Sequence, residues 1–379
     1  MANIATVLNR VVHATTCITT VASRTALTGT SGLISGLKRQ CLRLQSDVSK
    51  LSKRHGSSYV TRQNIGVVGV PIHEGQKNMG VMYGPSVIRE AGLMARFKQM
   101  GLEVVDHGDL KYESVQEDKV QTGVLKSCRT LGRALHKLSD TVCSIMLKHD
   151  QACVALGGDH SLTIGSLHGH AQAEPDMCVV WVDAHADINL PQCSPSGNLH
   201  GMVLSFLVHE LRDYMPTLAG FEWVKPCMSV KDIAYIGIRD LDECESYIMT
   251  QKGITCFTMH DVEKIGVAET LSRSLDKINP KGDRPVHLSF DIDSFDPYVA
   301  PSTGTPCSGG LTYREGLYIA EELGKTGLVN MIDMVEVNPE LGSHIEEEKT
   351  SKAAVNIICA ALGETRMGYV PPDYQLPKP

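Results

Sequence analysis

The sequence predicts a single α/β domain built on a parallel sheet with helices on both faces. Three observations carry that expectation. Short apolar runs recur along the chain from Asn64 onward, segments with helical spacing lie between most of them, and no linker rich in Pro, Gly and Ser interrupts the alternation. A strand buried on both faces reads as a continuous apolar run, and parallel neighbours need helical crossovers.

The strand-like runs are, in order, Ile65–Ile72, Leu102–Val105, Ala152–Leu156, Cys178–Val182, Ile233–Ile238, Ile254–Thr258, Val286–Ile292 and Val329–Val337. Each is short and bounded by polar or turn-forming residues, as a buried strand should be. Between the second and third runs, Val124, Cys128, Leu131, Leu135, Leu138 and Val142 fall on one stripe of a helix over Val120–Leu147. Val267–Ile278 has the same spacing. The domain these elements define covers about 63–365, followed by a tail, 366–379.

Composition agrees. The chain has 379 residues, of which 42% are hydrophobic and 21% charged, so a sizeable core is available and wholesale disorder is excluded. The net charge of −7 argues against a nucleic-acid binder. No apolar run approaches the ~18 residues needed to cross a bilayer. The charge is unevenly spread. Residues 1–62 hold nine Lys/Arg against Asp47 alone, a net +8, which leaves −15 on the remainder. A basic, Ser/Thr-rich, acid-poor leader is the composition of a mitochondrial or plastid transit peptide; the alternative is a disordered extension with no targeting role on a cytoplasmic protein. Leu33–Leu51 is expected to form the leader's basic amphipathic helix, with Leu37, Cys41, Leu44 and Val48 on one side. The 12 Cys are scattered without a C-x-x-C pair or zinc-like spacing, so no structural disulfide framework is expected.

In open α/β sheets, ligands bind beyond the carboxyl ends of the strands. Those ends are rich in carboxylates and imidazoles. They read Gly157-Gly158-Asp159-His160, Asp183-Ala184-His185-Ala186-Asp187, Arg239-Asp240-Leu241-Asp242, Asp291-Ile292-Asp293 and Glu336. So much negative charge on one rim would repel itself, and divalent cations would relieve it. In an extended segment the side chains of D-x-H-x-D and D-x-D point the same way. Four carboxylates (Asp183, Asp187, Asp291, Asp293) and two imidazoles (His160, His185) are too oxygen-rich for structural zinc and too many for one catalytic zinc. They suit two Mn(II)-like ions bridged by carboxylates. Asp159 is expected to orient the turn or a ligating imidazole rather than to ligate.

These motifs carry a resemblance. G-G-D-H-S at 157–161, D-A-H-A-D-I-N at 183–189, S-G-N-L-H-G at 196–201 and S-F-D-I-D-x-x-D-P at 289–297 together resemble the ureohydrolase family. S-G-N-L-H-G and E-V-N-P at 336–339 look like the arginases within it. G-x-P-x-x-x-G-Q at 69–76, G-P-S-V-I-R-E-A-G-L at 84–93 and G-G-L-T-Y-R-E-G-L at 309–317 extend the resemblance from Ile65 to the C-terminus. The leader and the D-A-H-A-D variant look most like the mitochondrial form in animals.

The resemblance implies an eight-stranded parallel sheet, two Mn2+ per subunit and hydrolysis of L-arginine to L-ornithine and urea by a hydroxide bridging the metals. It implies that His160, Asp183, Asp187 and Asp291 hold one ion and His185, Asp183, Asp291 and Asp293 the other. Asp187 would orient the hydroxide and take its remaining proton. His200 matches a non-ligating proton shuttle, and Glu336 the carboxylate that pairs with the guanidinium. Asn189, Ser194, Ser196 and Asn198 resemble α-carboxylate contacts, Asp242 the α-amino contact, and Thr305 a contact on the guanidinium side. Glu364-Thr365-Arg366 and Arg314-Glu315 resemble trimer-interface positions, so a homotrimer is expected. The chain departs from the family at 190–195, Leu-Pro-Gln-Cys-Ser-Pro in place of a Thr-rich run, and at Met82-Tyr83. Three alternatives stand beside arginine hydrolysis: agmatine or another guanidino substrate, a non-catalytic metal-bound scaffold, and a single-zinc amidohydrolase.

Overall fold

The computed structural model describes residues 63–115, 128–148, 151–367 and 374–377. The leader with its Leu33–Leu51 helix, and the stretch of the long amphipathic helix before Cys128, lie outside them.

Eight strands form one sheet in the order β2-β1-β3-β8-β7-β4-β5-β6. They are β1 (Asn64–Val70), β2 (Glu103–Asp109), β3 (Gln151–Gly157), β4 (Cys178–Val182), β5 (Ile233–Ile238), β6 (Thr255–Thr258), β7 (Val286–Asp291) and β8 (Val329–Val335). Every pairing is parallel. Each expected run is a strand, with ends shifted by a few residues at most for all but β2. That strand continues past Val105 through Asp106, His107, Gly108 and Asp109. It is an edge strand, so its pleat faces water and its polar half carries no apolar signal. Arg89 holds this edge, with Nε 2.9 Å from Asp106 and Nη1 2.6 Å from Asp109.

The helices are α1 (Gly84–Glu90), α2 (Leu93–Gln99), α3 (Cys128–Met146), α4 (Thr163–Ala173), α5 (Glu243–Lys252), α6 (Met259–Ile265), α7 (Val267–Ile278), α8 (Tyr313–Thr326) and α9 (His344–Ala361). They divide the core in two, one half on each side of the sheet. On one side Leu131, Leu135, Leu138 and Val142 of α3 meet Leu167 of α4 and the outward residues Cys153 and Ala155 of β3. On the other, Ala152, Val154 and Leu156 of the same strand join Ile319 and Leu323 of α8 and Ile357 and Ile358 of α9. Alternate residues of one strand thus enter opposite cores, which is why the strands read as unbroken apolar runs.

Three of the residues matched to a subunit interface, Arg366, Glu364 and Glu315, already have partners within the chain. Arg366 pairs with Glu321 at 2.8 Å and Arg96 with Glu364 at 2.7 Å. Glu315 accepts from Thr312 N–H at 2.8 Å, capping α8. Among the described residues no helix is long and apolar enough to cross a membrane.

Candidate metal centre and substrate cleft

The four central strands, β3, β8, β7 and β4, deliver the site. β3 runs into Gly157-Gly158-Asp159 and then a short 3-10 turn, His160–Leu162. Asp159 fastens that turn. One oxygen accepts from Ser161 N–H at 2.9 Å and from the Ser161 hydroxyl, and the other accepts from Gly75 N–H at 2.8 Å. These bonds fix the turn that carries His160.

His160 Nδ1 lies 3.1 Å from Asp183 Oδ2, 3.0 Å from Asp187 Oδ2 and 3.0 Å from Asp291 Oδ2. None of the three contacts has hydrogen-bond geometry, so this buried nitrogen has no hydrogen-bond partner. A nitrogen ringed by three carboxylate oxygens, unsatisfied by any, suits a cation at their centre. The opposite ring nitrogen, Nε2, is 2.8 Å from Ser289 Oγ. A proton on Nε2 would leave Nδ1 bare to bind. The second group shares Asp183. His185 Nδ1 sits 3.4 Å from Asp183 Oδ1 and 3.2 Å from Asp293 Oδ2. The ligand atoms of His160, Asp183 and Asp187, and those of Asp183, His185 and Asp293, each converge closely enough to hold one ion.

Strand pleating does not produce this convergence, contrary to the expectation for D-x-H-x-D and D-x-D. β4 stops at Val182 and β7 at Asp291. Asp183 Oδ1 then accepts from His185 N–H at 2.7 Å, and Asp291 Oδ1 from Asp293 N–H at 2.8 Å. Each motif therefore folds into an Asx-type turn around its first carboxylate. Asp187 has φ 49°, in the left-handed region that non-glycine residues seldom enter. Glu336, with φ 65°, is the other such residue among those described. Backbone strain of this kind gathers where a side chain must be aimed.

Electrostatics favour cations. Burial, followed by repulsion from neighbouring carboxylates, raises the carboxyls of Asp187, Asp291 and Asp293 above their usual range. Trp181, two residues before Asp183, steadies the centre from below. Its indole N–H donates to Asp183 Oδ2 at 3.0 Å, and its ring stacks on His160 with centroids 4.3 Å apart.

Glu336 is buried beside the centre. Oε1 accepts from His160 N–H at 2.8 Å and lies 3.4 Å from His200 Nδ1, and Oε2 accepts from Gln76 Nε2 at 3.2 Å. Burial opposes charge on His200, but pairing with Glu336 and then the charge of Asp187 outweigh it and raise its pKa to about 9.

His185, Asp187 and His200 also line an open cleft with Asn189, Ser194, Ser196, Asp242 and Thr305. Asn189 Nδ2 donates to Asp242 Oδ2 at 2.6 Å, and Ser194 Oγ accepts from Gly197 N–H at 3.1 Å. The Thr305 hydroxyl donates to Asp293 Oδ2 at 2.8 Å, so it touches the metal-type cluster as well as the cleft. Asn198 does not line the cleft wall; its N–H donates to Ser196 Oγ at 3.2 Å.

Two further acids line the cleft: Asp240, which the sequence places on the rim without a role, and Glu245, which sequence reasoning passed over. Asp240 Oδ2 lies 3.7 Å from His185 Nε2. Glu245 accepts from Ile188 N–H and Asp242 N–H, both at 3.1 Å. Burial, then repulsion from Asp187, pushes its carboxyl up to about 7. The spacing Asp242-x-x-Glu245 was a signal, but it reads as an ordinary capping box, which it also is.

The Arginase family model matches residues 63–363. The chain belongs to the Arginase family. Human mitochondrial arginase-2 is 47% identical over 339 residues, 89% of this chain and 96% of that protein. The native structure of the Bacillus caldovelox arginase superposes with a TM-score of 0.71 at 34% identity, covering 80% of this chain and all of that one. A Burkholderia thailandensis protein described as a hypothetical agmatinase reaches a TM-score of 0.59 at 27% identity, covering 79% and 84%. The Arginase family match spans every strand and every candidate site residue described above.

Proposed function

We propose that this chain hydrolyses L-arginine to L-ornithine and urea with two Mn2+ ions per subunit. The observation that carries the reading is the pair of His/Asp ligand groups sharing Asp183, set beneath a cleft with polar groups for both ends of an amino acid. His160, Asp183, Asp187 and Asp291 would hold one ion, and Asp183, His185, Asp291 and Asp293 the other. When bound, the two ions would lower the pKa of a water molecule far enough to make it a nucleophile at neutral pH.

The chain's own residues do the rest. Glu336 offers its carboxylate to the guanidinium. Asn189, Ser194 and Ser196 receive the α-carboxylate, with Asn198 N–H holding the Ser196 hydroxyl, and Asp242 receives the α-amino group. Thr305 keeps Asp293 in place. Asp187 accepts a proton from the attacking water. His200, held near Glu336, supplies a proton to the departing δ-nitrogen, and the C–N bond breaks to release ornithine and urea.

Side-by-side urea assays on arginine and agmatine, with Mn2+ added and removed, test this. Arginine turnover that depends on Mn2+ and exceeds agmatine turnover is expected; equal or faster agmatine hydrolysis defeats it. Metal counting separates two Mn2+ from a single zinc. We further propose a homotrimer in mitochondria. Sedimentation at micromolar concentration and a fluorescent fusion of residues 1–62 test those two points, and a monomer or a diffuse signal rejects them.

A further inference from the structure

We propose that Cys193 and Cys244 form a reversible redox pair whose disulfide fastens the loop on one side of the cleft to the helix on the other. Cys193 lies in the divergent 190–195 segment, where its N–H donates to Leu190 O at 3.0 Å. Cys244 is the second residue of α5, two residues after Asp242 and directly before Glu245. The two thiols lie close enough to interact, and the Cys244 sulfur also meets the backbone of Leu190. The flanking residues already tie the same two segments together. Ile188 N–H donates to Glu245 at 3.1 Å and Asn189 Nδ2 to Asp242 at 2.6 Å. Closing a disulfide therefore needs a local approach of two sulfurs, not a rearrangement of elements.

The two thiols differ in readiness. Cys193 is the exposed cysteine among the ten described, and Cys244 is half-buried. Burial, followed by the neighbouring Cys193 sulfur, pushes the Cys244 thiol up to about 12. Cys193 therefore reacts first. Its thiolate attacks a small-molecule disulfide such as glutathione disulfide and releases one glutathione thiol. Cys244 then loses its proton, attacks the Cys193 sulfur and releases the second. Two protein thiols give up two electrons and two protons, and the small disulfide takes up both. With the Cys193 sulfur capped in the mixed disulfide, its charge no longer opposes ionisation of Cys244. An exposed, loop-borne disulfide of this kind is of the labile, regulatory class rather than a structural staple.

The consequence for substrate rests on the reading of the cleft given above. Cys193 precedes Ser194, and Cys244 stands between Asp242 and Glu245, all of which line the cleft. A sulfur–sulfur bond is shorter than a thiol contact. It would draw Ser194 and Ser196 toward α5 and misplace the groups that receive the amino-acid end of the substrate. KM should carry the change, because His200 and Glu336 lie on other segments.

The metal-loaded full-length enzyme is equilibrated in graded glutathione/glutathione disulfide mixtures and mapped as non-reduced peptides by mass spectrometry. The expected product joins the peptides of Cys193 and Cys244, reverts with dithiothreitol and is absent from Cys193→Ser and Cys244→Ser. Over the same titration, KM for arginine rises by about fivefold in the wild type, with kcat within about twofold, and neither variant responds. Glutathionylated Cys193 without a cross-link, or a cross-link to another cysteine, overturns the redox pair. A complete Cys193–Cys244 cross-link with unchanged KM overturns its coupling to the cleft. Peptide mapping needs no turnover, so it answers the first question even if arginine is not the substrate.

Discussion

Replacing Glu336 with Gln removes one buried negative charge with little change of shape. The carboxylate receives His160 N–H, Gln76 Nε2 and the His200 ring on two oxygens, whereas an amide offers one. At least one buried donor is then left facing another donor, at a cost of about 1–3 kcal/mol. The larger effect falls on His200, whose pKa is raised from 6.5 to about 9 against the opposing effect of burial. As free energy that rise corresponds to about 3 kcal/mol favouring imidazolium. The imidazole is 18% exposed. Solvent screening trims the value to about 2 kcal/mol. Because the folded value lies above the unfolded one, this stabilisation is complete below pH 6.5 and is lost as pH rises through about 9. The measurement belongs in chelator-treated protein, since dications bound nearby would oppose the imidazolium. His200 ring resonances should titrate near 9 in the wild type and fall toward 6.5 in Glu336→Gln. Unfolding free energy, compared at one fixed protein concentration, should drop by about 2 kcal/mol across that range in the wild type and stay nearly flat in the variant. A His200 that titrates at the same pH in both proteins refutes the reasoning.

Other outcomes follow from the geometry. Asp183→Ala and Asp291→Ala should lose metal and turnover together, while His200→Ala keeps its metal and loses about 10²–10⁴-fold in rate; equal metal loss in the His200 variant would remove its role as proton donor. Trp181→Phe deletes the indole hydrogen bond to Asp183 and keeps most of the stacking ring, so metal affinity should fall by about 10- to 100-fold with little change in melting temperature. A dissociation constant equal to that of the wild type, measured by calorimetry, contradicts it. Gly158→Ala would place a Cβ 2.1 Å from Ile72 O and 2.7 Å from Val70 O, both backbone atoms. A loss of more than about 3 kcal/mol, or of soluble protein, is expected by thermal melting, and an unchanged melting point would mean that this turn can shift.

The sheet was legible because its strands are buried on both sides, so burial writes itself as uninterrupted apolar runs. It faded at β2, where Asp106, His107 and Asp109 sit on the edge and answer to Arg89 and water instead. Asp183, His185, Asp187, Asp291 and Asp293 were legible as a cluster because ligands recur at spacings of two. The way they converge was not. An Asx turn and a left-handed φ at Asp187 leave no mark that distinguishes them from a pleated strand. Glu245 was hidden by its second job as a helix cap, and the role of Asp240 by its ordinary loop setting. Trp181 read as one more apolar residue of β4, although its N–H is what matters to Asp183. The contact between Cys193 and Cys244 joins remote segments, which no local spacing encodes.

The order of the strands has a consequence for how the molecule comes to exist. β8 is the last strand in the chain, yet it lies between β3 and β7 in the middle of the sheet. A nascent chain that has not yet delivered Val329–Val335 has two open edges where the centre should be, and its longest loop closures are still ahead of it. Those edges invite pairing with other chains until the final strand slots in. Because His160 follows β3 while Asp183 and Asp291 lie across β8 at the ends of β4 and β7, the ligand group that includes His160 is completed only once the polypeptide is nearly finished.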